Sequence, residues 1–150
     1  MTIGYLLGLE ELSGVKVPLV SGRIAASPNG RIPGEAIEKT LWLPSDLVGS
    51  RHNLVAIRLG ADAHSMFPSL RPGDLAIIDR NDRDLTAHGI YAIRLGDLES
   101  CSLKRLQRVA GHDMVVLISD NPAYPAESIP WHEHLIIGRL IWSWINWVSL

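Results

Sequence analysis

A chain of 150 residues that is 47% hydrophobic and 20% charged has the composition of one globular domain with enough chain for a single buried core. Its net charge of −2 argues against a free-standing nucleic-acid surface, which needs clustered Lys and Arg. The one cysteine, Cys101, excludes an internal disulfide and fits a reducing, cytoplasmic compartment.

In chain order, "IGYLLGLEELSG" reads as the end of a helix followed by a linker, and it lacks the basic stretch that precedes the apolar core of a secretory signal. Residues 1–14 are therefore set apart from a domain spanning 15–150. "VKVPLVSGRIAAS" is strand-like, and "PNGRIPGE" is turn-rich, with two Pro and two Gly in eight residues. "EAIEKTLWLP" fits either a helical turn or an irregular crossing. "HNLVAIRLGA" is a strand that puts Leu54, Ala56 and Arg58 on one side and Val55, Ile57 and Leu59 on the other. In "SLRPGD", Pro72 fixes φ and Gly73 permits a positive φ, which makes a turn. "DLAIIDR" is a short apolar strand and "NDRDLTAHG" a polar loop. "GIYAIRLGD" and "SCSLKRLQRVAGHD" form a hairpin, and "MVVLISD" is another strand. "NPAYPAESIP", with three prolines, is barred from a central strand. A last strand begins near His134. The run "LIIGRLIWSWINWVSL" holds three of the five tryptophans, but Gly138 and Arg139 break it before it reaches the roughly 20 apolar residues of a membrane span. About seven short strands and little helical periodicity predict a mostly β fold of compact, rolled sheets with a few short helical turns.

Several chemistries can be weighed on these elements. His132 and His134 share one face of an extended chain, but a zinc site needs further ligands that are not evident, and no metal or cofactor is expected. "DRNDRDLTAHG" has Arg83 where a calcium loop needs an oxygen. In "AHSMFP", Ser65 reads as a turn residue or as a nucleophile. His64 is a poor base for it, because adjacent residues on an extended chain face opposite ways. A neutral lysine amine can serve instead. Lys104, in the strand-like "SCSLKRLQRV", shares a face with Ser102 and Leu106, and burial would lower its pKa from about 10.4. A strand lysine is also often a plain exposed residue, so these residues alone leave both readings of Ser65 open.

The motifs "HSMFPSLRPGDLAIIDR", "GIYAIRLGD", "LKRLQR", "ISDNPAYP" and "IIGRLIW", in that order over residues 17–142, resemble the self-cleaving repressors of the LexA and phage CI type. The resemblance implies a rolled β fold shared with signal peptidases, with Ser65 as nucleophile and Lys104 as general base. It implies a cleavage-loop segment at 17–34 whose scissile bond is Ala26–Ser27, with Ser27 where the family usually has Gly. The backbone N–H groups of His64 and Ser65 would then hold the oxyanion. It further implies a homodimer, induction by a RecA filament in the SOS response, and DNA binding only through a helix-turn-helix domain of which "IGYLLGLEE" resembles the last helix. Three alternatives stand beside this: a dimerisation module that no longer cleaves, a UmuD-like damage-tolerance protein, and a signal-peptidase-like enzyme, against which the absence of a membrane span counts.

Overall fold

The computed structural model describes residues 14–27, 31–85, 88–96 and 100–144. The proposed helix remnant and linker, apart from Gly14, and Trp147 lie outside the described residues. The fold is mostly β, as expected. Nine strands make one mixed sheet in the order β2-β1-β3-β4-β9-β5-β6-β7-β8. They are β1 (Gly14–Val20), β2 (Lys39–Pro44), β3 (Leu54–Arg58), β4 (Leu75–Asp79), β5 (Ile90–Leu95), β6 (Ser100–Arg108), β7 (Met114–Ile118), β8 (Glu127–Pro130) and β9 (Ile136–Trp144). Two four-residue helices, α1 (Gly22–Ala25) and α2 (Ser45–Val48), and a 3₁₀ turn at Gly34–Ala36 complete the described elements.

Side-chain alternation explains how one sheet carries three apolar clusters. From β3, Val55 and Ile57 enter one cluster with Val20, Met66, Leu70, Ala76, Ile78, Leu103 and Ile137, while Leu54 and Ala56 enter a second with Val17, Leu19, Leu43 and Ile77 on the opposite face. The division of β3 read from its sequence is therefore real, and both of its faces are covered. At the other end of the sheet, Tyr91, Ile93, Leu106, Val115 and Leu117 make the third cluster. The Pro-rich segment after β7 supplies only the edge strand β8, since proline cannot donate to a central ladder. The turn at Gly73 has φ +86°, as the Pro-Gly pair requires.

The segment expected to be extended through residue 27 is not. β1 stops at Val20, and Ser21 caps a helical turn by accepting a hydrogen bond from the Ile24 N–H at 3.3 Å. Ala26 closes that turn through its N–H to the Gly22 carbonyl at 2.9 Å. Pro28 disfavours a helical Ser27 and stops the helix there. A serine ahead of a small-residue run is a cap signal, and here it ends the strand directly after "VPLV".

Candidate functional site

The turn between β3 and β4 carries Ser65. Met66 and Leu70 are buried in the shared cluster and pin the turn to the sheet, while Ser65 itself stays half-buried. Inside the turn, Phe67 donates its N–H to the His64 carbonyl at 3.1 Å, and Leu70 donates to Met66 at 2.9 Å. The Phe67–Pro68 peptide is cis. Ser65 faces a cavity of about 290 Å³ whose wall includes Gly22, Met66, Cys101, Ser102 and Leu103. The start of α1 and the first half of β6 thus border the same space as the hydroxyl.

Lys104 lies in the middle of β6, two residues along the strand from Ser102 of that wall. Burial holds its amine below the usual lysine range, with Glu127 pulling weakly the other way. Its Nζ donates to the Ser119 hydroxyl at 2.7 Å and lies 5.8 Å from the centre of the Tyr124 ring. Among the described residues no hydrogen bond joins Lys104 to Ser65. The two are brought to one region of the fold, with the amine turned to Ser119.

Three consecutive residues tie that region together. β7 pairs with β6 up to Ile118 opposite Arg105, so the next step brings Ser119 opposite Lys104. The Asp120 carboxylate takes two bonds from Arg105, at 2.7 and 3.1 Å, and one from the Ser69 hydroxyl at 2.5 Å. Its carboxyl is held below the usual carboxylate range, chiefly by Arg105. Asn121 reaches the Ser65 turn, donating its N–H to the Ser65 carbonyl and its Nδ2 to the His64 carbonyl, each at 3.0 Å. None of Ser119, Asp120, Asn121, Arg105 or Ser69 stood out as a site residue in the sequence. "SDNP" after an apolar strand reads first as a turn, and only the strand register shows where it lands.

The Ala26–Ser27 peptide sits at the end of α1 with Ala26 fully buried. The Arg94 guanidinium on β5 donates to the Ala26 carbonyl at 2.6 Å, to the Ser27 carbonyl at 3.4 Å and to the His134 carbonyl at 2.5 Å. It is Gly22, at the opposite end of the helix, that borders the Ser65 cavity. The His64 N–H is donated to the Asp62 carbonyl at 2.9 Å, while the Ser65 N–H has no such bond among the described residues. Cys101 packs under α1, where a Cβ added at Gly22 would stand 3.2 Å from its own Cβ. Burial pushes the Cys101 thiol up to about 12, with Arg94 opposing part of that rise.

Among the described residues, no three His, Cys, Asp or Glu side chains converge as a metal site, and no helix is long and apolar enough to cross a membrane. A family model described as Peptidase S24-like matches residues 18–141, a span that takes in the Ser65 turn, β6 and the 119–121 segment. No curated protein matches the chain.

Proposed function

The chain belongs to the Peptidase S24-like family, and from that premise we propose that it is the self-cleaving, dimerising domain of a LexA- or phage-type repressor. The observation that carries the reading is Lys104. It is a strand lysine whose burial favours the neutral amine, on the strand that walls the Ser65 cavity. A neutral amine is what a serine hydroxyl needs as its base. In the reaction, Ser65 Oγ attacks the Ala26 carbonyl carbon and its proton passes to Lys104 Nζ. The Ser65 N–H stabilises the oxyanion, joined by the His64 N–H once it leaves Asp62. Collapse breaks the Ala26–Ser27 bond, and the Lys104 ammonium returns the proton to the departing Ser27 nitrogen. Water then hydrolyses the Ala26 ester on Ser65. Because the substrate is part of the chain, no encounter step limits the rate.

This reaction requires the end of α1 to move, since Ala26 caps the helix as a buried residue and does not line the Ser65 cavity. Arg94 must release the Ala26 carbonyl at the same time. The same hold favours a second reading, a dimerisation module that keeps the fold without cutting. Following intact mass while the pH is raised separates the two. Cutting between Ala26 and Ser27 should accelerate as Lys104 loses its proton and level off below the ordinary lysine range, and Ser65→Ala and Lys104→Ala should stay whole. A parent that remains whole after prolonged alkaline incubation selects the non-cleaving module.

Dimerisation is supported by Trp42, which is 61% exposed on the edge strand β2. Trp142 and Trp144, on the central strand β9, pack half-buried against the second cluster with ring centres 4.5 Å apart. Cleavage would separate the dimerising part from DNA-binding domains joined to the chain before the cut, and affinity for a two-site operator would fall. A RecA filament is the inducing partner that the family implies.

A further inference from the structure

We infer that Ser119 is a positioning residue for Lys104, fixing where the amine points relative to the Ser65 turn. The inference rests on the Ser65–Lys104 reading above and deepens it.

A primary amine on a four-carbon stem has many rotamers, and a general base is useful in few of them. Lys104 has one polar side-chain contact among the described residues short enough to select a rotamer, the 2.7 Å bond to Ser119 Oγ. Ser119 is itself placed from two sides. The β6–β7 register sets it opposite Lys104, and the two residues after it reach the Ser65 turn. Asp120 is bound to Arg105 of β6 and to Ser69 of that turn, and Asn121 to the carbonyls of His64 and Ser65. One tripeptide thus touches the base at its first residue and the nucleophile's turn at its last. A shift of β6 against that turn would have to break these bonds.

The contact also has an electrostatic sign. The Ser119 oxygen accepts from the amine and so favours the protonated form. The other groups around Lys104 are Glu127 of β8, which acts in the same direction, the Tyr124 ring, the mutually paired Arg105 and Asp120, and Tyr91, its partner across β5. Removing the Ser119 oxygen should therefore lower the pKa of Lys104 while freeing its rotamer. Midpoint and rate then move apart: deprotonation becomes easier and catalysis slower.

The test uses the whole chain in two forms. In a Ser65→Ala background, which does not cut, the Lys104 side-chain NMR signal, assigned with Lys104→Arg, is titrated with and without Ser119→Ala and Ser119→Thr. Ser119→Ala should move the midpoint down and Ser119→Thr should restore it, and intact spectra report that each variant is folded. With Ser65 present, Ser119→Ala should lower the plateau cleavage rate about tenfold while the pH–rate curve moves to lower pH. A midpoint that Ser119→Ala leaves in place overturns the inference, whether or not the parent cuts. An uncut parent in which the midpoint still responds to Ser119→Ala overturns the peptidase reading and supports the coupling.

Discussion

Two residues illustrate how a single guanidinium is used differently on neighbouring strands. Arg105 meets one carboxylate with a planar fork, leaving Asp120 charged and the 119–121 segment anchored. A carboxyl with a depressed pKa contributes stability that is present above the unfolded value of about 4 and is lost as pH falls through the folded value. Asp120→Asn should therefore be less stable than the parent at neutral pH by about 1 kcal/mol, the partial exposure of Arg105 limiting the effect. Its melting temperature should also fall less than the parent's between pH 5 and pH 3, which calorimetry across that range would show. Arg94 gathers three carbonyls, clipping the end of α1 to β5 and to the approach to β9. If that clip restrains cleavage, Arg94→Gln should raise the rate at alkaline pH by about five- to tenfold. A slower variant would mean that Arg94 is part of the docked, cutting arrangement instead. Ser65 and Lys104 were singled out by the family resemblance, since the chemistry of a serine and a strand lysine alone left both readings of Ser65 open. Ser119 and Arg94 were not, because each matters through what lies opposite it, and strand register is not written in a motif.

At the level of elements, the hairpin of β5 and β6, the apolar strands β3 and β4 and the edge position of the Pro-rich segment were all readable from alternation and from proline chemistry. The helical turn α1 was missed because a four-residue helix is too short to show a period. That turn has a native reporter beneath it. With its thiol pushed up to about 12, Cys101 holds almost no thiolate at pH 8 and should react slowly with an alkylating reagent. Lifting α1 off β6 exposes it. Labelling followed by mass spectrometry should therefore run faster in Arg94→Gln than in the parent, and equal rates would mean that Arg94 does not hold the helix down. β9 has a stricter requirement. A Cβ at Gly138 would collide with the Asp79 carbonyl at the end of β4, beside the point where β9 and β5 change register. Gly138→Ala should cost about 2 kcal/mol or more in chemical denaturation, far beyond the ordinary effect of an added methyl on a strand.

On the scale of the whole molecule, the two open edges of the sheet are unlike. β8 at one end is short and exposed, which discourages pairing with another chain. β2 at the other end is longer and carries the exposed Trp42, with the Lys16 amine 5.1 Å from its ring. If this end is the dimer surface, Trp42→Asp should shift sedimentation towards the monomer and leave the melting temperature of the isolated fold nearly unchanged. An unchanged sedimentation profile would place the dimer contact elsewhere.

The sheet order also governs the sequence of folding events. β9, the last described strand in the chain, lies between β4 and β5 and, among the described strands, is the one whose backbone ladders join β1 to β4 on one side to β5 to β8 on the other. Ser65 belongs to the first group and Lys104 to the second. Each group can form hairpins while the chain is still emerging from a ribosome, but the two cannot be zipped together until the residues up to Trp144 are free to insert. On this order a newborn chain would hold Ser65 and Lys104 on separate half-sheets. The pairing proposed for them would wait until β9 is in place.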